Sequence, residues 1–119
     1  MNSSTWLRAG GVAAAFFMAA AVFIGAETAA EIPLFAPPFD KVAHFVYYGS
    51  MTAFLSHGLG VRWLWVPLVF VPVVGALDEW HQLSVVGRDA SIYDWLADEL
   101  GTIFAVIVYY RWTMKSGGS

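Results

Sequence analysis

Cysteine is absent from the 119 residues, and charged residues make up only 13% of them. Without cysteine the chain forms no disulfide and binds no metal through thiolates. The shortage of charge accompanies an apolar content of 59% and a mean hydropathy of +0.63. Soluble domains average about 45–50% apolar and about 25% charged residues. The composition therefore predicts a membrane protein, and the length is that of one domain.

Two kinds of catalytic motif are also missing. There is no G-x-S-x-G segment to indicate a serine nucleophile and no H-E-x-x-H segment to indicate a zinc site. These absences favour binding over covalent catalysis, while acid/base chemistry stays open. We expect no metal and no cofactor, although a site of one histidine with carboxylates is an alternative. The net charge of −3 gives no reason to expect nucleic acid as a partner.

Four apolar segments predict four transmembrane helices, each about 20 residues long, which is the length that spans the hydrocarbon core. They are Trp6 to about Ala26, Asp40 to about Leu59, Arg62 to about Leu83 and Ser91 to about Trp112. Prolines predict a loop over Glu27–Phe39, and Ser84–Ala90 reads as a short polar turn. We therefore expect an all-α membrane protein, an antiparallel bundle forming one domain over residues 1–115, with a flexible tail over 116–119.

The first apolar segment has a second interpretation. Such a run near the N-terminus, followed by Ala26-Glu27-Thr28-Ala29-Ala30, is also typical of a secretory signal peptide with its cleavage site. A single basic residue, Arg8, precedes most of the run, which weakens this alternative. Its many alanines and glycines suit close helix packing, so we expect a membrane span.

Charge is distributed unevenly between the two ends of the expected bundle. Four basic residues fall at one end, and that end is expected to be cytoplasmic, together with both termini. They are Arg8, Arg62, Arg111 and Lys115. Lys41, Arg88 and all nine acidic residues fall at the other end. We therefore expect a multi-pass protein of the cell membrane whose polar end faces the periplasm or the exterior.

The polar residues of the last three segments fall on helix faces that can meet. At 3.6 residues per turn, the second segment places Asp40, Lys41, His44 and Tyr48 on one face. The corresponding groups are Gly75, Asp78, Glu79 and Gln82 on the third segment, and Ser91, Asp94, Asp98, Gly101 and Ala105 on the fourth. A carboxylate in lipid costs about 2.5–3.5 kcal/mol, so we expect the faces to point at one another. Lys41 and Arg88 are the expected partners of Glu79, Asp94 and Asp98.

At these positions the sequence resembles the VanZ-like family of small bacterial membrane proteins. The resemblance is carried by Asp40-Lys41-x-x-His44-Phe45-x-x-Tyr48, Glu79-x-x-Gln82, Gly87-Arg88-x-x-Ser91-x-x-Asp94 and the distal Gly101. Val86 stands where a proline often precedes Gly-Arg, and Asp98 stands where asparagine is expected. The founding member is linked to resistance to the glycopeptide teicoplanin. The resemblance thus implies a VanZ-like membrane domain with a role in the cell envelope.

The candidate site combines proton-transfer and binding residues. His44 and Glu79 are the candidate catalytic residues, because histidine and a carboxyl beside apolar segments suit acid/base work. The candidate substrate-binding residues are Asp40, Lys41, Tyr48, Gln82, Arg88, Ser91, Asp94 and Asp98. Structural alternatives remain open. Asp40, Lys41 and His44 suit an ordinary interfacial helix start, and Glu79 with Gln82 suits a hydrogen-bonded pair between spans. Arg88 could serve only to pair with Asp94, and the interface anchors are expected to be Trp63, Trp65, Trp80 and Trp95.

Three functional hypotheses follow. The first is a VanZ-like protein that acts on an envelope component or an amphiphilic glycopeptide and contributes to antibiotic resistance. The second is an enzyme that uses acid/base chemistry on a lipid-linked or phosphate-bearing substrate, with Lys41 and Arg88 holding the anion. The third is a small proton-coupled transporter, which needs a chain of carboxylates within the membrane. The expected partners are membrane lipids, lipid-linked wall precursors or a glycopeptide antibiotic.

Overall fold

The computed structural model describes residues 2–29, 39–84 and 92–117. These residues form four α-helices and no strand: α1 Ser3–Ala29, α2 Phe39–Leu59, α3 Trp65–Gln82 and α4 Ile92–Lys115. A 3-10 turn, Val61–Trp63, precedes α3. The all-α prediction is therefore confirmed, and each predicted segment corresponds to one helix.

The helix ends differ slightly from the predicted ones. The predicted loop at Glu27–Phe39 is helical at both ends, because α1 continues through Ala29 and α2 begins at Phe39; its other residues, 30–38, lie outside the described part of the chain. Helix α2 ends at Leu59 because Gly60 takes a positive φ of 90°, a conformation that glycine adopts without steric cost. The third helix begins at Trp65 and not at Arg62, since the intervening residues form the 3-10 turn.

Helix α1 packs antiparallel to α2. Near the start of α1, the Arg8 guanidinium donates to the carbonyl oxygens of Gly58 at 3.2 Å and Leu59 at 3.0 Å. These are carbonyls at the end of α2 that have no partner within their own helix. Further along, the Tyr47 hydroxyl donates to the carbonyl oxygen of Met18 at 2.6 Å. The first segment thus contributes to the buried core, where Ala15 is fully enclosed.

Helix α2 has its most extensive contact with α4, and small residues make this possible. Gly101 of α4 lies against the backbone of Phe45 and Gly49 on α2, and a Cβ added at Gly49 would come within 3.2 Å of the Gly101 carbonyl oxygen. The backbones approach so closely only because neither glycine carries a side chain. The sequence placed Gly101 on the face of the fourth segment that meets its neighbours, but it did not indicate which residues Gly101 would contact.

Buried polar side chains recur along the face of α2 that meets α4, one per turn, at His44, Tyr48, Thr52 and Ser56. The Thr52 hydroxyl lies 2.8 Å from the Tyr48 carbonyl oxygen and 3.3 Å from the hydroxyl of Thr102 on α4. Hydrogen bonds of this kind hold helices together where the hydrophobic effect cannot. The polar contact between α2 and α4 is therefore long, and the ionisable residues lie at the end where both helices begin.

Helix α3 packs against α4 through Trp95, which is only half-buried. The Trp95 indole nitrogen donates to the Pro72 carbonyl oxygen at 3.3 Å. The structure thus gives Trp95 a contact between helices, whereas the sequence indicated an interface anchor. Ring contacts of Phe16 with Phe70 and of Phe23 with His81 place α1 and α3 side by side in the same direction. The four helices therefore alternate in direction.

Large apolar side chains cover the outside of the bundle. Every helix exposes some of them; examples are Phe17, Val42, Val69 and Leu100, each more than half exposed. Within the described residues, one helical stretch, Ser3–Ile24, is long and apolar enough by itself to cross a membrane. The other three helices carry the polar residues that lower their mean hydropathy, and many of those residues point inward.

Candidate functional site

The ionisable side chains converge at one end of the bundle, where α2 and α4 begin and α3 ends. Each of these three helices contributes buried polar residues because their spacing of three or four positions keeps them on one face. The buried members are His44 and Tyr48 on α2, Asp78 and Gln82 on α3, and Asp94 and Asp98 on α4. Five predicted site residues from separate segments, together with Asp78, thus lie in one polar cluster.

His44 is the centre of the contact between α2 and α4. Its Nδ1 lies 2.6 Å from Oδ1 of Asp98, and its Nε2 lies 3.9 Å from Oδ2 of Asp94. Its ring stacks on that of Tyr48, with centroids 5.9 Å apart. Carboxylates face both ring nitrogens, and an imidazole so placed can take up or release a proton without leaving its position.

Asp98 has no exposed surface, and its second oxygen faces helix α3. A Cβ added at Gly75 would lie 2.8 Å from Oδ2 of Asp98. Gly75 is one helical turn before Glu79, so the Asp98 carboxylate lies between α2 and α3 next to the glutamate. The absence of a side chain at Gly75 makes room for this carboxylate.

Lys41 marks the outer edge of the cluster. Its Nζ lies 2.8 Å from Oδ2 of Asp40 and 2.8 Å from Oδ1 of Asp94. The side chain is 39% exposed, whereas that of Asp94 is 6% exposed. Lys41 therefore connects the buried carboxylates to the surface. Because two carboxylates of the chain already hold its ammonium group, an anionic ligand would have to displace them.

Asp78 is the residue that sequence reasoning undervalued. Its Oδ2 accepts hydrogen bonds from the Tyr48 hydroxyl at 3.2 Å and from the Gln82 amide nitrogen at 2.9 Å. The sequence suggested a hydrogen-bonded pair of Glu79 with Gln82, yet in the structure Gln82 donates to Asp78, four residues before it. The spacing of four between Asp78 and Gln82 was the available signal, because side chains four apart are neighbours on a helix.

Three of these residues form a group that could hold a metal ion. One donor atom each of His44, Glu79 and Asp98 lie within 4.8 Å of one another. The group takes one ligand from each of α2, α3 and α4. Two further candidates, Arg88 and Ser91, lie outside the described residues, so their predicted roles stay predictions.

A model of the VanZ/LLP1 family matches residues 4–113 of the chain. This chain belongs to the VanZ/LLP1 family. The match extends over all four helices, beyond the polar segments from which the resemblance was inferred, and that resemblance is confirmed. No match was found among curated proteins or among solved structures.

Within this VanZ/LLP1 chain, the departure at Asp98 has a structural consequence. An asparagine there would bring a neutral amide to His44, whereas the aspartate brings a carboxylate at 2.6 Å. Hydrogen bonds to ionised groups are shorter and about twice as strong as neutral ones. The residue that departs from the expected pattern thus lies at the most buried point of the cluster.

Proposed function

We propose that this VanZ/LLP1 protein spans the cell membrane four times and acts, through its polar cluster, on an envelope component or an amphiphilic glycopeptide. The observation that carries the proposal is the burial of carboxylates and a histidine from three helices at one end of a bundle with an apolar exterior. Polar groups in such a location are costly and are typical of functional sites.

Four membrane crossings are supported by the direction in which side chains point. The carboxylates that lower the hydropathy of α3 and α4 include Asp78 and Asp98, which are 3% and 0% exposed. The lipid-facing surface of these helices is formed instead by apolar residues such as Val69 and Phe104. A bilayer would therefore meet an apolar surface around the whole bundle, as a membrane-spanning fold requires.

The proposed orientation rests on the basic residues. Arg8 contacts the end of α2, and a small cleft brings Ser4 and Arg8 close to Thr113 and Ser116. The start of α1 and the end of α4 therefore share one end of the bundle, together with Arg62 after α2. Such an excess of arginine and lysine is typical of cytoplasmic ends. The polar cluster would then lie beneath the outer headgroups.

The charge of the cluster favours a cationic ligand group. Lys41 is balanced by Asp40 and Asp94, and further carboxyl groups lie deeper in the site. An amine on a lipid headgroup, a wall precursor or a glycopeptide would complement the buried Asp98 carboxylate, whose Oδ2 accepts no hydrogen bond from the described residues. The partly exposed Lys41 side chain marks the edge at which such a group would reach the buried carboxylates.

Acid/base catalysis on an envelope lipid is the second candidate function, and a specific contact favours it. The 2.6 Å contact of His44 with Asp98 resembles the way enzymes orient a histidine that transfers protons. A proton-coupled transporter has less support: along the inner half of the contact between α2 and α4, the described residues supply hydroxyls such as Thr52 and Ser56.

The test expresses three variants, Glu79→Gln, His44→Ala and Arg88→Ala, at membrane levels equal to the parent. Each is expected to reduce protection against a glycopeptide to that of cells without the protein. Glu99→Gln is the matched control, because it removes a carboxylate from α4 outside the cluster, and it should protect like the parent. Parental protection by all three variants would show that the cluster serves only to hold the helices together.

Profiling of lipids and wall precursors separates the two candidate functions. An enzyme changes the pool of its substrate or product, and His44→Ala would restore the pool of cells that lack the protein. A binding protein leaves the pools unchanged and alters retention of the antibiotic at the membrane. A changed pool with the parent chain therefore identifies an enzyme, and unchanged pools with altered antibiotic retention identify a binding protein.

A further inference from the structure

We propose that His44, Glu79 and Asp98 bind a divalent transition-metal ion between helices α2, α3 and α4. The inference uses the same polar cluster as the envelope role proposed above, but it rests on the geometry of three side chains and has its own readout. It concerns a site with one nitrogen and two oxygen ligands, each from a different helix. Helix bundles hold metal ions in this way, with inward side chains on facing helices.

The distances fit a common ion. The three donor atoms lie within 4.8 Å of one another. Nitrogen and carboxylate oxygen ligands bind zinc at about 2.0–2.2 Å, so two ligands of one ion are separated by at most about 4.4 Å. Side-chain shifts on the order of 1 Å would bring all three atoms to the ion. No helix has to move.

A second observation points to a cation at this place. Oδ2 of Asp98 is buried, and no hydrogen-bond donor among the described residues reaches it. It lies against Gly75, on the side of Asp98 that faces α3 and one turn from Glu79. A buried carboxylate oxygen without a donor costs free energy, and a metal ion at this position would remove that cost.

Charge balance makes the site compatible with its apolar surroundings. Glu79 and Asp98 each bring a carboxylate to the ion and His44 brings an imidazole, so negatively charged groups would contact the cation directly. An isolated ion in a low-dielectric interior is expensive, but a neutralised and coordinated one is not. Metal ligands must be deprotonated, so both carboxylates and the coordinating ring nitrogen would bind the ion without a proton.

The ligand types indicate which ions fit. One imidazole and two carboxylates form a nitrogen–oxygen set without thiolate, which suits Zn²⁺, Mn²⁺ or Fe²⁺ and disfavours Cu⁺. Asp94 lies 3.9 Å from Nε2 of His44 and is held in turn by Lys41. A carboxylate next to a ligand histidine orients its ring and strengthens its bond to the metal.

The test measures binding of Zn²⁺ and Mn²⁺ to the purified full chain in lipid nanodiscs, against a chelator of known affinity. The parent is expected to bind one of these ions at about one per chain. Glu79→Gln and Asp98→Asn keep the side-chain shape and should raise the dissociation constant at least about tenfold. Glu99→Gln, which removes a neighbouring carboxylate outside the group, should bind like the parent.

Equal affinity of the parent, Glu79→Gln and Asp98→Asn for both ions would overturn the metal site, as would no measurable binding by a parent chain that elutes as a single species. Thermal unfolding with and without the ion gives a readout independent of function, since a ligand that binds only the folded state raises the midpoint. Loss of metal binding in variants that still protect cells would separate this inference from the envelope role.

Discussion

Nδ1 of His44 lies 2.6 Å from Oδ1 of Asp98, although the two residues are 54 positions apart in the chain. Asp98 is fully buried and His44 nearly so. The contact joins two parallel helices that are separated in sequence by a third. It is therefore a tertiary relationship, and it fixes the relative rotation of α2 and α4 at the polar end.

The first prediction concerns Asp78, whose Oδ2 accepts hydrogen bonds from Tyr48 and Gln82. Asp78→Ala would leave two buried donors without an acceptor and is expected to destabilise the protein by about 2 to 4 kcal/mol. Asp78→Asn keeps an acceptor oxygen and should cost about 1 kcal/mol. Unfolding in mixed detergent micelles measures both. An equal decrease in the free energy of unfolding for Asp78→Ala and Asp78→Asn would contradict the hydrogen bonds to Tyr48 and Gln82.

The second prediction concerns the close approach of α2 and α4. A Cβ at Gly101 would collide with the backbone of Phe45, so Gly101→Ala is expected to cost about 1–3 kcal/mol through overpacking. Gly10 of α1 has no atom of a neighbouring element within 4 Å of its Cβ position. Gly10→Ala should therefore stabilise by about 0.5–1 kcal/mol. Thermal unfolding shows whether each substitution lowers or raises the unfolding midpoint. A higher midpoint for Gly101→Ala would show that α2 and α4 are farther apart than described.

The third prediction concerns the attachment of α1. Tyr47→Phe removes the hydrogen bond to the Met18 carbonyl and is expected to destabilise by about 1 kcal/mol. Tyr110 is half exposed on α4, so Tyr110→Phe removes the same atom without loss of a core contact. It should leave the unfolding midpoint unchanged. A larger effect of Tyr110→Phe than of Tyr47→Phe would argue against packing of α1 on α2 through Tyr47.

The fourth prediction tests orientation, and the absence of cysteine makes it direct. Ser4→Cys, Ser84→Cys and Ser116→Cys each place one thiol at an exposed position. In intact cells a membrane-impermeant maleimide should label Ser84→Cys alone. The other two should react only after the membrane is opened. Labelling of Ser4→Cys or Ser116→Cys in intact cells would reverse the proposed orientation.

The helical period accounts for what the sequence predicted. Positions 40, 41, 44 and 48 share a face at 3.6 residues per turn, as do 94 and 98, so their convergence followed from the cost of exposing charge to lipid. The contact of Lys41 with Asp94 follows similarly, since Lys41 is one of only two cations expected at that end.

The helical period shows which residues share a face of one helix, but it does not show how far that helix is shifted along its neighbour. The choice of Asp78 as the acceptor for the Tyr48 hydroxyl, and of Phe45 and Gly49 as the neighbours of Gly101, depends on that offset. The polar contacts of Thr52 and Thr102 were missed for another reason: threonines in an apolar segment also satisfy their own helix. The hydrogen bond from the half-buried Trp95 indole to the Pro72 carbonyl oxygen also depends on how α3 and α4 are offset.

A double-mutant cycle on His44 and Asp98 tests most directly whether separate helices bring their ionisable residues into one buried site. His44→Phe keeps the ring, and Asp98→Leu keeps the approximate shape. Unfolding free energies of the two single variants, the double variant and the parent are compared in the same micelles. A coupling of about 1–3 kcal/mol is expected for such a contact. Additivity within about 0.5 kcal/mol would show that the two side chains do not interact and would contradict the proposed site.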